Sequence, residues 1–161
     1  MAILNRRSLA AIVGTGAAAG LLAFTPKYEG TVYHTYRDMG GVLTYCTGAT
    51  ENAQWGKTYT PAQCRAQLDS DLAKHAEEIR PCFHHFDQMT EGQKIAFVDT
   101  AYNAGSAGVC RSSMARYANA GNMKAACAAL STYRATVHGQ PVNGLIRRRA
   151  AVRAICEGRK A

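Results

Sequence analysis

Residues 29–44 read EGTVYHTYRDMGGVLT, and this stretch decides the fold. From Thr31 to Asp38 apolar and polar residues alternate as in a strand, Gly40-Gly41 is a hairpin turn signal, and Val42–Cys46 reads as the returning strand. The pattern predicts an antiparallel hairpin whose two arms carry Asp38 and Thr44 back to face Glu29. Two carboxylates in different settings plus a hydroxyl suit hydrolysis of a glycosidic bond: one carboxyl donates a proton while the other groups handle water or the oxocarbenium charge. Glu29 borders an apolar segment, the setting expected of a buried proton donor. Asp38 beside Arg37 is expected to stay ionised, and Thr44 to hydrogen-bond the attacking water. Taken singly, each has an ordinary reading: a helix-end charge, a turn residue and a β-branched strand residue.

Helix signals follow the hairpin. Thr60-Pro61-Ala62-Gln63 is a capping box with proline at the first helical position, and Leu68, Leu72, Ala76 and Ile79 follow at helical spacing until Pro81. A second box, Thr90 to Gln93, opens a helix with Ile95, Val98, Ala101 and Tyr102 on one face. Tyr102, Asn103 and Gly105 form a polar break in that pattern. Shorter helices are expected over 111–119 and 122–131, and a last one from about Val142 to Glu157. The fold class is α+β, mainly helical, with one small antiparallel sheet.

The chain starts differently. After Arg6 and Arg7, residues Ser8 to Phe24 carry no charge and include three Gly and six Ala, so the run is apolar but weakly hydrophobic. It is at the short limit of a membrane span, and the preceding arginines predict a cytoplasmic N-terminus. A cleaved signal peptide, a permanent anchor, and a segment that inserts and later leaves the bilayer all fit.

The formal net charge is +8, and of the 19 basic residues only Arg6, Arg7 and Lys27 precede Glu29. A positive surface favours anionic partners such as nucleic acid, lipid head groups or cell-wall polymer. No helix-turn-helix, finger spacing or aromatic interleaving accompanies it, which argues against nucleic acid. Arg147–Arg149 is the densest charge run and reads as a solvated face or as intramolecular ion pairs. The six cysteines, Cys46, Cys64, Cys82, Cys110, Cys127 and Cys156, all follow the apolar segment and argue for disulfides in an oxidising compartment. Of the fifteen pairings open to six cysteines, the preferred set is Cys46–Cys64, Cys82–Cys110 and Cys127–Cys156. Cys82, His84 and His85 lack the second half of a zinc ligand set, so no metal is expected. The five histidines show no Ser or Cys partner arrangement that would support nucleophilic catalysis.

The triplet Glu29, Asp38 and Thr44 at this spacing, followed in order by TPAQCRAQLDSDL (60–72), IAFVDTAYNAGSAGVCRSSMARYANAGN (95–122) and NGLIRRRAAVRAIC (143–156), resembles the phage-type lysozymes, endolysins of glycoside hydrolase family 24. The resemblance covers roughly Tyr28 to Gly158, and Ala49 stands where many relatives have a histidine. It implies a lysozyme-like domain in which a hairpin lobe and a helical lobe flank a cleft. It also implies an N-acetylmuramidase that hydrolyses, with inversion, the β-1,4 bond between N-acetylmuramic acid and N-acetylglucosamine in bacterial peptidoglycan. Glu29, Asp38 and Thr44 are then the catalytic triplet, and Tyr102 and Asn103 line the cleft. Relatives of the signal-arrest-release kind imply a division into an N-terminal membrane segment, 1–26, and a catalytic domain, 27–161. Such an enzyme is exported to the host periplasm, tethered first to the inner membrane. A cofactor-free monomer acting without nucleic acid is expected. The alternatives are a lytic transglycosylase and a non-catalytic cationic protein acting on wall or membrane.

Overall fold

The computed structural model describes residues 7–160. Its first two helices are α1 (Leu9–Val13), capped by the Ser8 hydroxyl, and α2 (Thr15–Glu29), separated by Gly14 at φ 90°. That angle lies where only glycine is comfortable, so the break falls there. The weakly hydrophobic run is thereby folded into the body. Leu9, Ile12, Val13, Ala17, Ala18, Leu21 and Phe24 are buried in the same core as Leu68, Leu72, Ala76 and Ile79 of α3 (Pro61–Ile79). Burying one such leucine contributes roughly 1.5–3 kcal/mol. α2 also lies against α4 (Glu91–Ala104), where a Cβ on Gly16 would collide with the Glu91 carboxylate and one on Gly20 with Ile95. The bare glycine face is what lets the two helices approach. Proline 26 lies inside α2, so a single helix joins the apolar run to Glu29 across the expected boundary at residue 26. Among the described residues no helix is long and apolar enough to cross a membrane.

The hairpin forms as expected from β1 (Val32–Arg37) and β2 (Leu43–Cys46), with Tyr36 opposite Thr44 and Arg37 opposite Leu43. Gly41 at φ 77° makes the turn. Register slips between Val32 and Tyr36, where β1 turns instead to residues 57–59: the Thr35 amide donates to the Lys57 carbonyl and the Tyr59 amide to that of Tyr33. Both predicted capping boxes are present, at Thr60 and Thr90, and start α3 and α4. α4 runs through Tyr102 and Asn103 and ends at Ala104, so the polar break is the last turn of a helix.

Beyond it come α5 (Ser106–Cys110), α6 (Ser113–Asn119), α7 (Met123–Ala129) and α8 (Asn143–Cys156). A second, two-residue hairpin, β3 (Thr136–Val137) with β4 (Gln140–Pro141), precedes α8 and was not expected. The cysteines pair as the preferred set: Cys46–Cys64 ties the hairpin to α3, Cys82–Cys110 ties the end of α3 to α5, and Cys127–Cys156 ties α7 to α8.

Candidate active site

A cleft of about 300 Å³ separates the hairpin side from the helical body. Glu29, at the C-terminal end of α2, and Tyr102 and Asn103 of α4 form one wall. Gly48–Glu51, which follow β2, and Asp71, Lys74 and His75 of α3 form the others. Glu29, Tyr102 and Asn103, chosen from sequence, are thus brought together. Asp38 and Thr44 are not part of that lining; they sit on the hairpin.

The apolar setting expected around Glu29 is absent. Its Oε1 accepts from Arg148 of α8 and, at 3.3 Å, from Asn103 Nδ2. Arg148 is itself buried and grips Asp99 of α4 with two parallel bonds, Nε to Oδ2 at 2.9 Å and a terminal nitrogen to Oδ1 at 2.8 Å. Burial opposes the charge on Arg148, but Asp99 and Glu29 outweigh it and raise its pKa. Arg149, also buried, donates to the Asn103 carbonyl oxygen at 2.5 Å and to the Tyr133 carbonyl at 2.7 Å, fixing which way the Asn103 amide faces. Two of the three arginines in the run are therefore internal, not solvated; Arg147 alone is exposed. Asp99 was missed in the sequence, where its place inside an otherwise apolar helical face, IAFVDTA, is the signal that could have found it.

The hairpin residues are satisfied locally. Asp38 Oδ1 accepts from the amides of Gly40 at 2.9 Å and Val42 at 2.8 Å, which shapes the turn. Thr44 is buried and its hydroxyl donates to the Val42 carbonyl at 3.0 Å. Tyr102 bridges the lobes by donating to the Thr47 carbonyl. Burial, with the charges of Asp71 and Glu29 added, raises its pKa, so it remains a neutral donor.

On the opposite wall one histidine does meet a serine, a contact the sequence did not reveal. His75 Nδ1 lies 2.8 Å from the Ser106 hydroxyl and 3.4 Å from Glu78. Both partners meet the same ring nitrogen, so this is not the relay of base and orienter that activates a serine. Burial and Lys74 lower the His75 pKa, with Glu78 opposing. Burial raises that of Asp71, whose carboxylate accepts from Gln67 Nε2 at 3.0 Å. Among the described residues no cluster of three or more metal-ligating side chains occurs.

A family model described as phage lysozyme matches residues 26–152. Similar curated proteins include the SAR-endolysin of Enterobacteria phage PA-2, 36% identical with 94% of each chain covered, and that of Enterobacteria phage P21, 35% identical with the same coverage. Among solved structures, the muramidase domain of SpmX from Asticaccaulis excentricus is 25% identical, with a TM-score of 0.76 over 85% of this chain and 94% of that one. The active form of the P1 phage endolysin Lyz shares the fold at 22% identity, with a TM-score of 0.75 over 89% and 84% of the two chains.

Proposed function

Because the chain belongs to the phage lysozyme family, as an endolysin that cleaves peptidoglycan for host cell lysis, we propose that it is an N-acetylmuramidase that hydrolyses the β-1,4 bond between N-acetylmuramic acid and N-acetylglucosamine. The observation that carries this reading is the place of Glu29: it lies at the mouth of the cleft, and both its protein donors converge on one oxygen, Oε1. Oε2 is then the oxygen that presents a proton to the leaving group. Asp38 orients water and balances positive charge at the sugar from the hairpin side, and Thr44 hydrogen-bonds that water. Inversion requires room for a water between the acid and the group that handles it. Tyr102 and Asn103 contact the glycan. Mass spectrometry of digested peptidoglycan tests the reaction: reducing muramic acid ends are expected, and anhydro ends would replace the reading with a lytic transglycosylase.

The same reading includes export and a membrane stage for residues 1–26, with domain 27–161 as the catalytic part of a monomer. Support comes from the run that reads as a weak membrane segment and also has a place in the folded core. While Phe24 is inserted in a bilayer, Glu29 five residues on cannot reach the position it holds between α4 and α8. Leucine at Ala11, Ala19 and Ala23, all exposed in the docked helices, raises hydrophobicity without obstructing the fold. Those variants are expected to stay in the membrane fraction and delay lysis. Lysis on schedule, or a mature protein beginning after Ala19, overturns the membrane stage.

A further inference from the structure

Thr25 is fully buried, one helical turn before Glu29 on α2, and its hydroxyl donates to Asp99 Oδ1 at 2.9 Å. Asp99 is fully buried too, and its remaining contacts are the two bonds from Arg148, whose third nitrogen reaches Glu29. The four side chains close a ring through three helices: Thr25 to Asp99, Asp99 to Arg148, Arg148 to Glu29, and Glu29 back to Thr25 along one turn of α2.

The sequence makes Thr25 the sole device of its kind. Between Thr15 and Lys27 the helix reads GAAAGLLAFTP, so Thr25 is the one side chain there able to hydrogen-bond. A face of glycine and alanine against α4 is smooth, and apolar contacts are not directional. A slip of one residue on either side would offer Asp99 a phenylalanine or a proline. A buried carboxylate left short of a donor is costly, so only one register of α2 satisfies it.

We propose that Thr25 is a positioning residue for the hydrolysis: its hydroxyl fixes the register of α2 and the rotation of the Asp99 carboxylate, and through Arg148 sets where Glu29 stands in the cleft. The proposal rests on Glu29 being the proton donor. Thr25 and Glu29 ride on one helix, so the ring closes only when the N-terminal segment has docked, and docking itself completes the acid's surroundings.

The test uses the purified full chain and its kcat and KM on peptidoglycan, with thermal melts alongside. Thr25→Val, which keeps the shape and removes the hydroxyl, is expected to lower kcat about tenfold while KM stays within about twofold. Thr25→Ser is expected to recover most of the loss. In an Arg148→Lys background Thr25→Val is expected to add no more than about twofold, because the path is already interrupted. If Thr25→Val does not fold, the pair Thr25→Ala and Thr25→Ser carries the same comparison. The proposal is overturned by a Thr25→Val kcat within twofold of wild type, by Thr25→Ser as slow as Thr25→Val, by a change confined to KM, or by full additivity with Arg148→Lys. Glu29→Gln distinguishes the two levels: if it is inactive while Thr25→Val is not impaired, the acid stands and only the positioning role falls.

Discussion

The helical body and the hairpin hold their carboxylates by opposite means. Glu29 is placed by tertiary contacts, from Arg148, 119 residues away in sequence, and Asn103, 74 away. Asp38 is placed by its own turn, through amides two and four residues on. A group fixed by distant helices inherits every shift in how those helices meet, whereas one fixed by a turn is insulated from them. Glu29 is therefore the vulnerable carboxylate and Asp38 the robust one.

The hardest way to break that comparison is chemical. Glu29→Gln removes the proton and keeps the shape, and turnover in a lysis assay is expected to fall by at least about a hundredfold with the melting temperature little changed. Retention of more than a tenth of the activity would remove Glu29 from its role. Next is Arg148→Leu, which strands a fully buried Asp99 and is expected to cost about 3–5 kcal/mol in denaturant unfolding while also releasing Glu29. Opening the Cys46–Cys64 bridge with paired serines probes the other side. It is expected to cost about 2–4 kcal/mol, read in the same way. Thiol titration of the unreduced, denatured wild type is expected to find no free thiol.

Asp38 offers a finer test. Asp38→Asn keeps an oxygen for the Gly40 and Val42 amides while removing the charge, whereas Asp38→Ala removes both. If the carboxylate acts on water or on the sugar, both variants lose turnover and only alanine loses stability, by about 1 kcal/mol per bond. Asparagine with full turnover would reduce Asp38 to a turn residue.

The smallest effect is expected at Asp71, across the cleft. Burial raises its pKa, so the folded protein holds that proton more tightly than the unfolded chain does. Stability is then fully present below the ordinary carboxylate range, is lost as pH rises through the raised value, and at pH 7 carries the cost of an ionised buried group. Asp71→Asn is expected to raise the melting temperature at pH 7, with the gain vanishing below about pH 3–4.

What could be read from the chain was what short segments decide. The capping boxes at Thr60 and Thr90 act within four residues, and the hairpin follows from alternation around Gly40-Gly41; both were legible. The disulfide pairs match the preferred set, but the sequence left fifteen pairings open, and two of the bridges span an intervening element: α4 lies between Cys82 and Cys110, and the β3–β4 hairpin between Cys127 and Cys156. Of the two readings open for the arginine run, ion pairs hold for Arg148 and a solvated face for Arg147. The sequence could not choose between them because an arginine is buried only where a partner waits, and Asp99 lies 49 residues upstream of Arg148. His75 and Ser106 likewise meet only because α3 and α5 pack together. The β3–β4 hairpin escaped notice although His138-Gly139 turns it, since two-residue strands leave too little pattern to detect.

All three disulfides close within residues 46–156, and none reaches α1 or α2. Residues 8–29 are therefore joined to the rest by one peptide linkage and otherwise by non-covalent contacts alone, the buried Thr25–Asp99 bond and the Glu29–Arg148 pair among them. Thermodynamically they behave as a ligand tethered to its receptor, bound with an effective concentration set by the short connection at Gly30. Such a ligand can leave and return without any exchange of sulfur bonds, so the covalent framework of the body and the occupancy of its groove are independent variables.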